Sequence, residues 1–224
     1  MSNLLALDCT DRACSVAVRQ GEGVCEIYLD EQRLHARRLL GLIQDCLQRS
    51  GLHKSDLDAV VWARGPGSFT GLRIAAACVQ GLSFGLQIPS VGVSSLLALA
   101  LRARDVNTSS RQRVWVGMDA KMGEIYSASF SMDFAEQEYS PIEEERLLPT
   151  DSFEVPAGFD TYLGSALGLS GVKTHSQRVC ADTQIHAADM LSLPAAYLPR
   201  SASVHDIEPV YLRRANAWKK MGAS

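Results

Sequence analysis

Apolar and polar positions group into three short runs at the start of the chain. Residues 4–7 are wholly apolar and end at Asp8, residues 14–19 are rich in Val, and residues 24–29 follow a turn marked by Gly21 and Gly23. Runs of this length, bounded by turn residues, predict strands. Their tight spacing predicts an antiparallel meander with Asp8-Cys9-Thr10-Asp11 as its first hairpin turn. The period then changes. Over residues 35–50, Leu39, Leu40, Leu42, Ile43, Cys46 and Leu47 cover one broad face of a helix, and Gly51 is placed as its C-terminal cap. An apolar strand is predicted at 57–63, a helix at 72–86 and a strand at 88–93. A further helix runs through Leu96, Leu97, Leu99 and Leu101, with Ser94 or Ser95 as its cap. Strands alternating with helices pair in parallel through crossover connections. Meander and crossovers together predict a mixed sheet of about five strands with helices on its faces.

The stretch 102–113 is polar, with Asn107-Thr108-Ser109-Ser110 at its centre, and is the best boundary in the chain. It divides the sequence into a first lobe, 1–105, and a second, 106–224, with part of the C-terminal chain packing back on the first. The second lobe opens on strands at 114–118 and 124–130 about a Lys-Met-Gly turn. Beyond Glu143-Glu144-Glu145 the pattern weakens. Short helices are predicted at 161–167 and 183–191, and Pro194, Pro199 and Pro209 mark an extended stretch before Val210-Tyr211-Leu212. Each half opens with a strand hairpin and places an aspartate, Asp8 or Asp119, at or near the end of its first strand.

Composition narrows the function classes. A chain of 224 residues with 46% hydrophobic and 21% charged content builds a real core. A net charge of -3 supplies no general steering field for nucleic acid. The N-terminus lacks a basic start and reaches Asp8 too soon for a secretion signal, and no segment approaches ~20 uninterrupted apolar residues. The six cysteines form no CxxC pair, and are read as free thiols in a reducing, cytoplasmic compartment.

The sharpest local feature is Arg64-Gly65-Pro66-Gly67-Ser68-Phe69-Thr70-Gly71, between an apolar strand and a helix of small residues. Glycines there permit close approach, and a helix N-terminus offers free N–H groups to an anion. A phosphate-binding loop is one reading. A structural turn, with Ser68 or Thr70 capping the helix, is the other. The helix that follows has little bulk at Ala75, Ala76, Ala77, Gly81 and Gly85, so it is buried on more than one side. One side is the sheet; the other is either more of this chain or a partner protein. Asp8, Thr10 and Asp11 read as an Asx-type turn or as a metal or phosphate contact, and Asp119 and Lys121 beside Gly123 read the same way. The five histidines are scattered, with no HExxH or HxxxH spacing. The basic end, Arg213, Arg214, Lys219 and Lys220 with Tyr211 and Trp218, is either an RNA contact or a solvated terminus.

Several of these motifs occur together in one family. Leu5-Ala-Leu-Asp-Cys-Thr followed by Ala13-Cys-Ser-Val, then Arg64-Gly-Pro-Gly-Ser-Phe-Thr-Gly-Leu-Arg-Ile, Asp119-Ala-Lys-Met-Gly-Glu-Ile-Tyr and Pro209-Val-Tyr-Leu-Arg resemble the bacterial TsaB (YeaZ) family, in the family's order and over nearly the whole length. The resemblance implies an α/β fold of the actin/hexokinase/Hsp70-like (ASKHA) kind with two related lobes. It implies a non-catalytic subunit that partners TsaD, with the ATPase TsaE, to place threonylcarbamoyl on N6 of adenosine 37 in tRNAs reading codons that begin with A. It also implies that the metal and threonylcarbamoyl-adenylate are held by TsaD and ATP by TsaE, so that this chain carries no cofactor and meets tRNA through the complex. A partner surface is then expected on the first lobe, at Leu39, Leu40, Ile43 and Leu47 of one helix and Ala76, Gly81 and Gly85 of the next, with a homodimer through the same surface when the chain is alone. Asp8, Thr10, Gly67 and Asp119 remain the candidates for any cofactor contact. The rival class is a free-standing metallopeptidase or kinase-like enzyme of the same superfamily. The missing histidine pair argues against the peptidase, and a kinase would need Asp8 and Asp119 to converge on magnesium and phosphate.

Overall fold

The computed structural model of the chain describes residues 2–30, 35–174, 178–194 and 207–213. The predicted meander is β1 (Leu4–Asp8), β2 (Cys14–Gln20) and β3 (Gly23–Leu29). After helix α1 (His35–Arg49) the chain returns as β4 (Ala59–Gly65), parallel to β1. After helix α2 (Phe69–Leu86) it returns as β5 (Ser90–Ser94), parallel to β4. The sheet order is therefore β3-β2-β1-β4-β5. Gly51, at φ +68°, turns the chain out of α1, and Leu52 N–H closes on Leu47 O at 3.0 Å. Ser94 caps α3 (Ser95–Ala100) by accepting from Leu97 N. The short α4 (Ala103–Val106) follows.

A second five-stranded sheet repeats the plan. β6 (Arg111–Lys121), β7 (Glu124–Asp133) and β8 (Glu138–Pro149) form an antiparallel meander. β9 (Phe153–Glu154) comes next. β10 (Thr161–Leu163) then pairs parallel with β6, and after β11 (Val172–Lys173), which pairs with β9, β12 (Val179–Cys180) pairs parallel with β10. The order β12-β10-β6-β7-β8 is the first sheet's order read from its other edge. The last described helix is α5 (Ala187–Met190).

Strands buried on both faces read as continuous apolar runs, and the core divides accordingly. Leu5, Leu7, Val60 and Trp62 face α1 and α2, while Leu4, Ala6, Val61 and Ala63 face a shared core with α3, α5 and Val114, Val116 and Met118 of β6. Trp115, between Val114 and Val116, points to the outer face of the second sheet, against Tyr162 and Val172. The N-terminal end of α5 is held on the first sheet by polar contacts. Ala187 N donates to Ser15 Oγ at 2.9 Å, Ala188 N donates to Glu26 Oε1 at 3.0 Å, and His186 Nδ1 lies 2.9 Å from Glu26 Oε2. Burial works to raise the Glu26 carboxyl, but His186, the Ala188 N–H and the Ser15 hydroxyl outweigh it and hold it below the usual range.

Several expectations are corrected. α2 begins at Phe69, three residues before the predicted start, because Ser68 and not a later residue is its cap. Residues 161–167 are not a helix: β10 fills 161–163, and Gly164 at φ +104° separates it from a 3₁₀ turn at Ser165–Gly168. The helix expected at 183–191 is only Ala187–Met190, and the weak region beyond Glu145 begins inside the twelve-residue β8. Residues 207–213 cross from one sheet to the other. Ile207 O accepts from Gln80 Nε2 at 2.9 Å and Val210 N donates to Arg64 O at 2.7 Å, while Arg213 bonds the Ala120 and Lys121 carbonyls of β6. All six cysteines are free. His175, His205, Pro199, Arg214, Trp218, Lys219 and Lys220 lie outside the described residues.

Candidate functional site

The ends of β1 and β6 and the start of α2 meet at a cleft of about 1190 Å³. Its lining brings together three of the four expected contact residues, Thr10, Gly67 and Asp119. The fourth, Asp8, does not line it. Asp8 is 1% exposed, and its Oδ1 accepts from Thr10 N at 2.9 Å and from Thr10 Oγ1 at 2.6 Å. Burial pushes the Asp8 carboxyl up to about 7, and burial also raises its neighbour Asp11. Asp119 makes the same local turn in the second sheet: its Oδ1 accepts from Lys121 N at 2.7 Å and its Oδ2 pairs with Lys121 Nζ at 2.6 Å.

The glycine-rich stretch is occupied by the chain itself. Ser68 N donates to Thr10 O at 2.6 Å, and Ser68 Oγ accepts from Gly71 N at 3.3 Å. A Cβ at Gly67 would fall on the Thr10 carbonyl, and one at Gly71 on the Cys9 carbonyl. The glycines thus let the first turn of α2 rest directly on the backbone that ends β1. Two of the N–H groups at the start of α2 that an anion would need are spent on Thr10 O and Ser68 Oγ, so the geometry favours the structural-turn reading. Gly65 and Pro66 are buried. Arg64 reaches Glu145 of β8 at 3.7 Å, while Phe69 and Thr70 are exposed on the first turn of the helix. Among the described residues no group of His, Cys, Asp or Glu could hold a metal ion.

The expected partner residues separate into two sets. Leu39, Ile43 and Leu47 of α1 and Ala76 of α2 are buried in this chain's own core against the first sheet, which corrects their placement on an outer surface. The apolar arc of α1 is consumed by the sheet beneath it. Leu40 is 67% exposed, and Gly81 and Gly85 have nothing within reach of an added Cβ. The sequence reading missed Phe84, the most exposed large apolar side chain among the described residues at 68%. Its spacing from Gly81 and Ala77, three and seven residues, is the helical signal that could have found it. Also missed was Arg73 at the cleft, and Tyr211, expected only as part of the basic end, lines the cleft with it. The Phe69 and Tyr211 ring centroids are 5.4 Å apart, and the Arg73 guanidinium carbon lies 3.9 Å above the Phe69 ring.

Two helix-flanked mixed sheets of one topology, with a cleft at the ends of their first strands, define a protein of the actin/hexokinase/Hsp70-like class. Residues 27–205 match the family model described as TsaD, tRNA N6-adenosine threonylcarbamoyltransferase. The tRNA threonylcarbamoyladenosine biosynthesis protein TsaB of Escherichia coli (strain K12) is 34% identical over 231 residues, covering 97% of this chain and 97% of that protein. The protein of the same description from Haemophilus influenzae is also 34% identical, covering 97% of this chain and 96% of that one. The solved structure of YeaZ from Pseudomonas aeruginosa superposes with a TM-score of 0.84 at 36% identity, over 95% of this chain and 100% of that chain. The chain belongs to the TsaB (YeaZ) family of tRNA threonylcarbamoyladenosine biosynthesis proteins.

Proposed function

We propose that this chain is a cytoplasmic, non-catalytic subunit that assembles with the transferase TsaD and the ATPase TsaE. The assembly places threonylcarbamoyl on N6 of adenosine 37 in tRNAs reading codons that begin with A. The observation that carries this reading is the likeness to a TsaB protein over 97% of both chains. Metal and threonylcarbamoyl-adenylate then belong to TsaD, and ATP to TsaE. Two features of the site support a scaffold over a kinase-like enzyme: Asp8 lies beneath the cleft, bonded to Thr10, and the glycine-rich turn is filled by the backbone of Cys9 and Thr10 just after β1. The lobes are taken as residues 1–105 and 106–224.

The partner surface is assigned to the outer side of α2, at Gly81, Phe84 and Gly85, together with Leu40, the exposed leucine of α1. Small residues let a second helix approach closely, and an exposed phenylalanine and leucine supply apolar area. By length and composition α2 is also the one described helix that could cross a membrane. Its Ala75, Ala76 and Val79 are instead buried in the outer core of the first sheet, and Leu72 is fully buried as well, which leaves the apolar outer side to a protein partner. The free chain pairs with itself through the same side, so homodimer and heterodimer compete.

Because Ala76 faces the sheet, the test uses Gly81→Leu and Phe84→Arg. Both positions are open to solvent, so circular dichroism is expected to match the wild type. On a sizing column with TsaD, the wild-type chain co-elutes and both variants run free, with tRNA modification lost in parallel. Undiminished co-elution and modification by both folded variants would move the partner surface elsewhere.

A further inference from the structure

We propose that the mouth of the inter-sheet cleft is a stacking surface for an unpaired base of RNA, with the RNA backbone held at its cationic rim. The inference rests on the proposed role in tRNA modification and adds a contact made by this chain itself. Three of the exposed large apolar side chains among the described residues gather at this one opening: Phe69 at 46%, Tyr211 at 44% and Met122 at 47%. They come from three separate parts of the chain, so no single element's amphipathicity explains their meeting. Phe69 and Tyr211 are tilted 47° to one another at 5.4 Å, which leaves ring faces open, and Arg73 already lies over Phe69 at 3.9 Å. Exposed aromatic faces joined to a guanidinium are the chemistry that holds single-stranded bases without reading their sequence.

Charge is sorted in the same sense. At the Asp119–Lys121 pair the lysine side chain is 79% exposed and the carboxylate 18%, so the positive end faces outward. Arg213 is drawn inward onto Glu124 and the β6 carbonyls. The one strongly exposed carboxylate at the opening, Asp182, is paired with Arg12 at 3.3 Å. Arg73 and the outward-facing Lys121, itself paired with Asp119, thus present positive charge at the rim, with Asp11 the half-buried carboxylate of the lining, beside aromatic rings for a base. A protein loop docking at the same opening would use the rings without needing the cations.

The experiment is run on the complex of this chain with TsaD. A fluorescein-labelled anticodon stem-loop, unmodified at the adenosine, is titrated in by anisotropy, with a blunt RNA duplex as control. Phe69→Ala and Tyr211→Ala are each expected to weaken stem-loop binding about tenfold. Both should leave duplex binding and co-elution with TsaD as in the wild type. Arg73→Gln is expected to weaken binding and to flatten its dependence on salt. Unchanged stem-loop affinity in the Phe69→Ala, Tyr211→Ala double variant overturns the proposal. So does loss of TsaD or TsaE co-elution with RNA affinity kept, which would make the opening a protein-docking surface. If the wild-type chain fails to hold TsaD, the proposed function fails on its own. The same titration on the chain alone then decides the RNA contact separately.

Discussion

The first and second sheets share one strand order but differ in what connects their parallel strands. In the first, the connections are α1 and α2, of 15 and 18 residues. In the second, the chain reaches β10 through β9 and loops, and reaches β12 through a 3₁₀ turn and β11. The outer face of the second sheet is sealed by its own small cluster around Trp115, Tyr162 and Ala166. That of the first is sealed by two helices, and α2 turns Gly81, Phe84 and Gly85 away from the core. One fold plan used twice therefore yields one half that closes on itself and one that offers a helix face. A second contrast lies at the first strands. Asp8 and Asp119 each accept from the N–H two residues on, yet one turn is buried under α2 and the other opens to solvent beside Lys121.

The largest effect is expected where α2 rests on β1. In Gly71→Ala the new methyl meets the Cys9 carbonyl, which is backbone and cannot swing away. A cost of about 3 kcal/mol or more is expected, at or beyond the upper end for overpacking, read as a lower denaturant midpoint with an unchanged slope. Gly41→Ala is the control on α1, where an added Cβ meets nothing, and is expected to gain ~0.5–1 kcal/mol. If Gly71→Ala were as stable as the control, α2 would not be anchored by its contact with β1, and the contrast between the halves would lose its origin.

That contact also explains what was legible in the sequence. In the first half, periodicity and burial agree. Leu39, Leu42, Ile43, Cys46 and Leu47 recur at helical spacing because a sheet lies under them, and β1 and β4 are continuous apolar runs because both their faces are covered. In the second half the two signals part. Tyr162, Leu163, Ala166 and Leu167 fit a helical spacing, but Gly164 breaks the run into a three-residue strand and a 3₁₀ turn. β8 carries Pro141 and Glu143 to Glu145 because it is an edge strand, where charge and proline block further pairing. Such a strand has little apolar alternation to read. The candidate site was half legible. Local turn chemistry at Asp8 and Asp119 is written in the sequence, whereas the meeting of Phe69, Arg73 and Tyr211 depends on the path of residues 207–213 across both sheets.

A smaller effect, with a pH signature, is expected from Asp8→Asn. The folded Asp8 carboxyl titrates at about 7 and the unfolded one at 3.8, so folding takes up a proton between these values. Its contribution to stability is complete below the unfolded value and is lost as pH rises through the folded one. Asparagine keeps an oxygen for Thr10 N and Thr10 Oγ1 and cannot ionise. The variant is expected to exceed the wild type by on the order of 3 kcal/mol at pH 8, with the advantage vanishing near pH 4. Unfolding curves at a series of pH values read this directly. A gain that did not depend on pH would mean that Asp8 costs the fold through its packing and not through its charge.

The smallest effect is expected at the matching position of the second sheet. Asp119→Asn keeps the acceptor for Lys121 N and removes only the ion pair to Lys121 Nζ. That lysine is 79% exposed, and an exposed pair of this kind contributes roughly 0–1 kcal/mol once solvent screening and side-chain entropy are counted. The variant should therefore stay within about 0.5 kcal/mol of the wild type, and raising the salt concentration should narrow even that difference. The measurement matters because the two turns share their local hydrogen bond. If Asp119→Asn cost as much as a buried substitution, the shared turn itself would set the energetics of both strands' ends. If it is nearly silent while Asp8→Asn is not, the difference comes from α2 lying over one turn and open cleft lying over the other.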